Sequence, residues 1–440
     1  MRTWKIISIL VLVFSFFMEL RPLDFYLDEY LTEMNITTAQ INEEIMPIRE
    51  YGTLLSVLLT LTVTDYLLYK PVMLLNNVCG IFVYISLAVM PDILQLKITE
   101  VAMTRITAYS DVAYLSYLFA KIHDKRFYQI ASGLVRTGML TGKLCGSVLA
   151  QILTLNGSLK LLPFYNLGAM VFAFIWSFYM PPARPSRRRR NAKSKQANLI
   201  SVQVNIIQGA SEIKNNKSEE IIIKNPLLRA WNDFIESYTN LTVLKWSIWF
   251  CLALTCSNVI NTKFLTQEFK NTDQQTNRQV ETLVTLLSAI CSYKIGMRRV
   301  NWELKGSTFI GSGSLILGIC LVVSYFHQKL LPVYMSYTLF GVLTQVMLVI
   351  SLSEIAKPLK NKCYALIFGF NSFISVVLML LINVVFTQRF DVLKFISSKQ
   401  QLLFYGGMFI TIGVTYVVSS IISFNKNRLI TKSPIYNIPE

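Results

Sequence analysis

Twelve apolar stretches, each about the length of a bilayer-spanning helix, constrain this chain more than any other feature. They fall near residues 5–27, 48–69, 72–90, 99–120, 128–155 and 163–180, then, after a long polar interruption, near 242–266, 277–297, 307–326, 331–355, 362–386 and 402–424. A transmembrane helix needs about 20 predominantly apolar residues, and in lipid only helices and closed barrels satisfy their own backbone polar groups. The pattern therefore predicts an all-α membrane protein of twelve transmembrane helices. Composition agrees: 15% of the 440 residues are charged and 53% are hydrophobic, where soluble domains carry about 25% charged residues.

The formal charge of +17 reads as topology under the positive-inside rule, and nucleic acid is not an expected partner. Lys121, Lys125 and Arg126 follow span four, Lys294, Arg298 and Arg299 close span eight, and Lys357, Lys360 and Lys362 follow span ten. They share one side with the 181–240 segment and with Lys426, Arg428 and Lys432, which places both termini in the cytoplasm. The N-terminal stretch, apolar to Leu20, lacks a small-residue cleavage site and reads as a retained helix rather than a signal peptide. The expected organisation is a six-helix bundle over 1–180, a basic, largely disordered linker over 181–240, a second bundle over 241–425, and a tail over 426–440. Arg187–Arg190 in the linker read as a stop-and-orient signal at the membrane surface, with a lipid-binding patch as the alternative. Six helices, a basic linker and six more is the plan of the major facilitator superfamily fold, with a substrate site near mid-membrane and alternating access.

The seven cysteines show no CxxC spacing and sit mostly in apolar stretches, so neither a disulfide framework nor a metal site is expected. His123 and His327 lie near helix ends and read as solvated loop residues. No Ser-His, paired-aspartate or His-Glu motif stands out, so an enzyme and a cofactor are not expected.

Ionisable residues inside the spans carry the functional signal. Each costs about 2.5–3.5 kcal/mol at the bilayer centre and faces a cavity or a partner. Asp24 lies beside Phe25 and Tyr26 in span one, and Asp111 lies in span four within AYSDVAYLSY, sharing a helical stripe with Tyr114. A carboxylate beside aromatic rings suits an organic cation; the alternative is a structural ion pair of Asp111 with Lys143 or Arg105. Arg49 and Glu50 begin span two, where they can snorkel outward. Lys143 in span five either neutralises an acid between the bundles or receives an anionic substrate group. Asn277 and Glu281, one turn apart at the start of span eight, share a face.

Several motifs, taken in order, resemble the reduced folate and thiamine carriers. They are Arg21–Leu31 (RPLDFYLDEYL), Glu44–Pro47, Thr64–Val72 (TDYLLYKPV), Val112–Tyr114, Gly146–Gln151, Trp246–Trp249, Val300–Trp302 and Tyr364–Phe373 (YALIFGFNSF). The resemblance runs over the spans and fails in the linker. It implies a vitamin carrier in which the residue before VAY is diagnostic: thiamine members place a glutamate there and the folate carrier an arginine, and this chain has Asp111. It further implies substrate-binding roles for Asp24, Tyr26, Asp111, Tyr114, Asn277 and Glu281, and places Met379 and Gly341 where the folate carrier has cations. Arg49, where thiamine members have a pocket tryptophan, Lys143, and Gly341, where even thiamine members tend to keep a cation, depart from the pattern; Arg49, Lys143 and Arg105 form a possible charge network or anion site.

The expected function is secondary-active uptake of thiamine across the plasma membrane, coupled to a proton or organic-anion gradient. The same-fold alternative is reduced folate or another organic anion; the alternative of another class is a non-transporting nutrient receptor signalling through the linker. In this topology the Asn35-Ile36-Thr37 and Asn156-Gly157-Ser158 sequons face outward, the second in a short turn too near the membrane to be the expected site, and those at Asn216 and Asn240 face the cytosol. Asn35→Gln should abolish a glycosidase-sensitive gel shift that Asn216→Gln and Asn240→Gln leave intact.

Overall fold

The computed structural model describes residues 3–89, 93–183, 226–267, 274–298, 300–327, 329–359, 363–387 and 398–432. Side chains within some helices, including those of Glu50, Arg105 and residues 261–275, lie outside this description. The N-terminal half comprises α1 (Thr3–Glu19), a short α2 (Leu27–Glu33), α3 (Met46–Leu67), α4 (Lys70–Ala88), α5 (Ile93–Lys121), α6 (Tyr128–Leu155) and α7 (Leu162–Tyr179). After α8 (Pro226–Tyr238) come α9 (Leu241–Gln267), α10 (Gln274–Met297), α11 (Trp302–Phe326), α12 (Leu330–Ala356), α13 (Tyr364–Thr387) and α14 (Ser398–Lys432).

Twelve of these helices match the twelve apolar stretches. Among the described residues nine are long and apolar enough to cross a membrane by length and hydropathy. The other three are α1, which is 17 residues long, α3, which contains Arg49, Glu50 and Asp65, and α5, which contains Lys97, Arg105 and Asp111. In α3 and α5 apolar length is traded for charge, whereas α1 is apolar but short because it stops at Glu19. The end of the molecule carrying Lys121, Lys125, Arg298 and Lys357 is called the basic end below, and the opposite end, with Asp28, Glu29 and Glu33, the acidic end.

Two features differ from the sequence expectation. Span one is discontinuous: α1 stops at Glu19, a 3-10 turn spans Pro22–Phe25, and α2 resumes at Leu27. Pro22 removes one backbone donor, and the Leu23 N–H is satisfied by the side-chain oxygen of Asn166 in α7 at 3.1 Å. Asn166 is fully buried, so a side chain on another helix makes irregular backbone tolerable inside the membrane region.

The second difference concerns the linker. Its residues 184–225 lie outside the described residues, but its final part is the helix α8. Trp231, Phe234, Ile235 and Tyr238 recur at three- and four-residue spacing, a stripe that the polar composition of the segment conceals.

Close helix approach positions the charged residues. Gly138, Gly142 and Gly146 repeat every fourth residue of α6, the small-residue spacing that lets membrane helices pack backbone to backbone. A Cβ at Gly138 would lie 2.7 Å from the Leu12 carbonyl oxygen, and one at Gly142 would collide with the Phe16 carbonyl. Where α6 crosses α10, a Cβ on Gly133 would stand 2.6 Å from the Gly296 Cα. Thus α6 is wedged between α1 of its own half and α10 of the other.

Overpacking a tight site costs about 1–3 kcal/mol or more. Gly142→Leu should therefore lower the melting temperature of the detergent-solubilised protein and its yield of monodisperse material. Gly168→Leu, at a position with no neighbouring atoms within 4 Å of an added Cβ, should leave both unchanged.

Candidate functional site

The face of α6 turned toward the C-terminal half carries polar groups along its length. Nearest the basic end, the buried Gln129 donates to the carbonyls of Ile295 and Arg298, both at 2.8 Å, and accepts from the Trp302 indole N–H at 2.8 Å. Ser132 donates to the Val349 carbonyl at 3.3 Å, and the Tyr128 and Tyr364 hydroxyls meet at 2.9 Å. Beside them Asp65 of α3 accepts from the backbone N–H groups of Ala365 and Leu366, at 3.3 and 2.7 Å. It thereby caps the N-terminus of α13, where a carboxylate complements the helix dipole. These contacts join the two halves at the basic end.

Toward the acidic end Ser147 meets Thr282 at 2.6 Å and Gln151 donates to Thr282 at 3.0 Å. Arg278 of α10 pairs with Glu29 of α2, and its guanidinium carbon lies 3.7 Å from the centre of the Tyr26 ring. This cation–π contact also joins the halves, and it covers a ring expected to stack on substrate.

Between the two closures lies a cavity of about 150 Å³ lined by residues of α1, α6, α9, α10 and α12. Its charged lining is Glu19, Arg136, Lys143 and Glu281, with Gln345, Tyr337 and Gly341 opposite. The Lys143 ammonium lies 3.2 Å from the Glu281 carboxylate across the interface and 5.9 Å from the centre of the Phe25 ring. Arg136 donates from Nε and Nη2 to the Gln345 side-chain oxygen at 2.8 and 2.6 Å. Its partner is a neutral amide, so its positive charge is not cancelled there.

The break in span one forms the adjoining wall. Arg21 bridges Glu19 at 3.0 Å and Asp24 at 3.2 Å, and the Tyr84 hydroxyl donates to Asp24 at 3.3 Å. Arg49 acts on Asp24 electrostatically. Asp111 lies within the electrostatic reach of Arg136 and Glu19. One of its oxygens accepts the Val112 backbone N–H at 2.8 Å, and among the described residues it has no ion-pair partner within 4 Å.

Of the six residues expected to bind substrate only Glu281 lines the cavity; Asp24, Tyr26, Asp111, Tyr114 and Asn277 lie outside its lining. Tyr114 is fully buried, its ring edge-on to Phe14 at 5.9 Å, and its hydroxyl has no hydrogen-bond partner among the described residues. Asn277 is buried and accepts from the Tyr334 hydroxyl at 2.6 Å. The Arg105 side chain lies outside the described residues. Asn35 is exposed just beyond α2 with φ of 64°, a left-handed position that asparagine tolerates at helix ends.

The structure thus brings Lys143 and Glu281 into direct contact, and the ion pair considered between Asp111 and Lys143 is replaced by this one. Sequence reading passed over Glu19, Arg136, Gln345, Glu29 and Arg278. Arg136 had a usable signal, because Gln129, Arg136 and Lys143 follow one another at seven-residue spacing and so share a helix face.

A helical membrane protein whose two halves enclose a charged cavity, closed by separate contacts on either side, has the architecture of a secondary carrier. Its fold is that of the major facilitator superfamily: it aligns with the solved proton:xylose symporter XylE at a TM-score of 0.65 and 10% identity, covering 94% of each chain. The family model for the reduced folate carrier matches residues 2–403, and the chain belongs to that family. It is 26% identical to Thiamine transporter 2 of Homo sapiens, over 95% of this chain and 90% of that one. It is 25% identical to the Reduced folate transporter of Mus musculus, over 88% of this chain and 77% of that one. It is a multi-pass membrane carrier and not an enzyme.

If Lys143 and Glu281 act as a pair, the single charge reversals Lys143→Glu and Glu281→Lys should each lower thermal stability, and the double swap should recover part of the loss. Because both side chains are partly exposed, the coupling should fall at the low end of the roughly 0.5–3 kcal/mol found for contacting residues. Additive losses in a thermal-melt cycle would show that the pair does not couple.

Proposed function

We propose that this carrier takes up thiamine, or a closely related cationic vitamin, across the plasma membrane, with both termini in the cytoplasm. Asp111 carries the reading: it is a carboxylate within a membrane span, only partly buried, without an ion-pair partner among the described residues. Arg136 acts on it at a distance but makes no ion pair with it among the described residues, and a thiazolium-type substrate would supply the contacting cation that a carboxylate so placed calls for. Lys143 does not oppose this, because Glu281 already holds it. Gly341 lines the cavity where the resemblance places a cation in folate carriers, so the cation that a folate-like anion would use is absent there; thiamine members tend to keep one as well, so this glycine weighs against the anion without favouring thiamine. A Cβ there would approach Val284 Cγ1 at 2.6 Å.

In this reading the cavity passes substrate inward as the two halves rock. The acidic-end contacts of Arg278 part to admit it, and the contacts around Gln129, Tyr128 and Asp65 part to release it. When Arg278 leaves the Tyr26 ring, that face becomes available to a substrate cation. Asp24 and Glu281 are the carboxylates placed to carry a coupling proton.

The second reading is a folate-like organic anion, favoured by one observation: Arg136 faces the cavity with a neutral partner. The two readings separate in uptake assays run side by side in carrier-deficient cells. A contact to a charged group is worth roughly 1.5–3 kcal/mol, so Asp111→Asn should lower thiamine uptake by about 10- to 100-fold at equal surface expression. Saturable folate uptake that survives Asp111→Asn, with no thiamine signal, would reject the cation reading.

A further inference from the structure

The helix α8 has an apolar stripe broader than the protein covers. Trp231, Phe234, Ile235 and Tyr238 lie on one side of it. Half of that stripe is docked on α13: the Phe234 and Tyr238 rings lie 4.7 and 5.6 Å from Phe370, and the Tyr238 hydroxyl donates to Asn371 at 2.6 Å. Asn371 in turn donates to Ser247 of α9 at 3.0 Å, so α8 is fastened to two spanning helices. The other half is open. Trp231 is 58% and Ile235 45% exposed, and Trp231 is held in place by stacking on Phe234 at 5.7 Å. Asn232 and Glu236, on the far side, are exposed.

The position of the helix identifies what covers the open half. Phe370 is six residues into α13 from its basic end, about 9 Å along the axis, and α9 enters the membrane directly after α8. The open stripe therefore continues the exposed apolar surface of α9, formed by Leu241, Leu244 and Ile248, at the depth where headgroups give way to acyl chains. Tryptophan is favoured at that level, and a helix with one apolar face lies there in the plane of the interface.

We propose that α8 is a membrane-interface anchor, with Trp231 and Ile235 seated among lipid acyl chains beside α13 and Asn232 and Glu236 left in the headgroup water. Hydrophobic insertion holds it, because on the polar side the sequence sets Asp233 and Glu236 against the single cation Arg229, a balance that an anionic surface does not attract. The anchor rests on α13, whose first turn makes the basic-end contacts with Tyr128 and Asp65. It ties the lipid surface to a helix that has to move when that end opens.

The test uses the full-length carrier in phosphatidylcholine vesicles. The fluorescence of Trp231, one of six tryptophans, is isolated as the difference between wild type and Trp231→Phe. That difference should be quenched by lipids brominated high on the acyl chain and not by aqueous iodide, with or without added phosphatidylserine. In the Trp231→Phe background, Ile235→Trp should restore lipid quenching, whereas Glu236→Trp should report water. Quenching by iodide, quenching by neither agent as under a protein partner, or lipid quenching only when phosphatidylserine is present would each overturn the proposal.

Discussion

A charge inside a bilayer has to meet an opposite charge, a polar partner or enclosed water, and for four charges of this protein that partner lies across the interface between the two halves. Lys143 finds Glu281, Arg136 finds Gln345, Arg278 finds Glu29 and Asp65 finds the first turn of α13. The bonds that make the charges tolerable are therefore also the bonds that hold the halves together. Any motion separating the halves must exchange them for water or substrate, so the same groups serve stability and transport.

The backbone follows the same logic. A membrane helix can be interrupted only where its freed polar groups are met, and span one is interrupted where Asn166 reaches Leu23. The interruption releases α1 from straight-helix geometry just above the level of Gly142, where α1 and α6 touch backbone to backbone. Glu19, Arg21 and Asp24 are consequently gathered into one ion cluster, of which Glu19 lines the cavity, rather than spread around a helix. Close packing, a break and a charge cluster are three consequences of one local sequence, LRPLDF set against the glycine stripe of α6.

How much of this was legible in the sequence depends on the range of the interaction. Hydropathy is local, so the helices appear near their expected positions; the span expected over 128–155 is the helix Tyr128–Leu155. The break after Glu19 was invisible because its compensation comes from Asn166, more than a hundred residues away. Residues 226–238 were assigned to an unstructured linker because composition averages over a stripe that periodicity resolves. Asp111, Lys143 and Glu281 stood out as ionisable residues in apolar runs, but their pairing did not, since nothing near Lys143 specifies a partner 138 residues on. Arg136 went unremarked although it shares a face with Lys143, and Arg278 was overshadowed by Asn277 and Glu281 beside it.

The account's central claim is that the cavity between the halves is where the vitamin is held, with Asp111 as its cation partner. A structure of the full-length carrier with thiamine bound tests this most directly. The account predicts ligand density in the cavity lined by Glu19, Arg136, Lys143 and Glu281, with the thiazolium facing the Asp111 carboxylate. Ligand seated elsewhere, or seated in the cavity with its cationic ring turned away from Asp111, would contradict it.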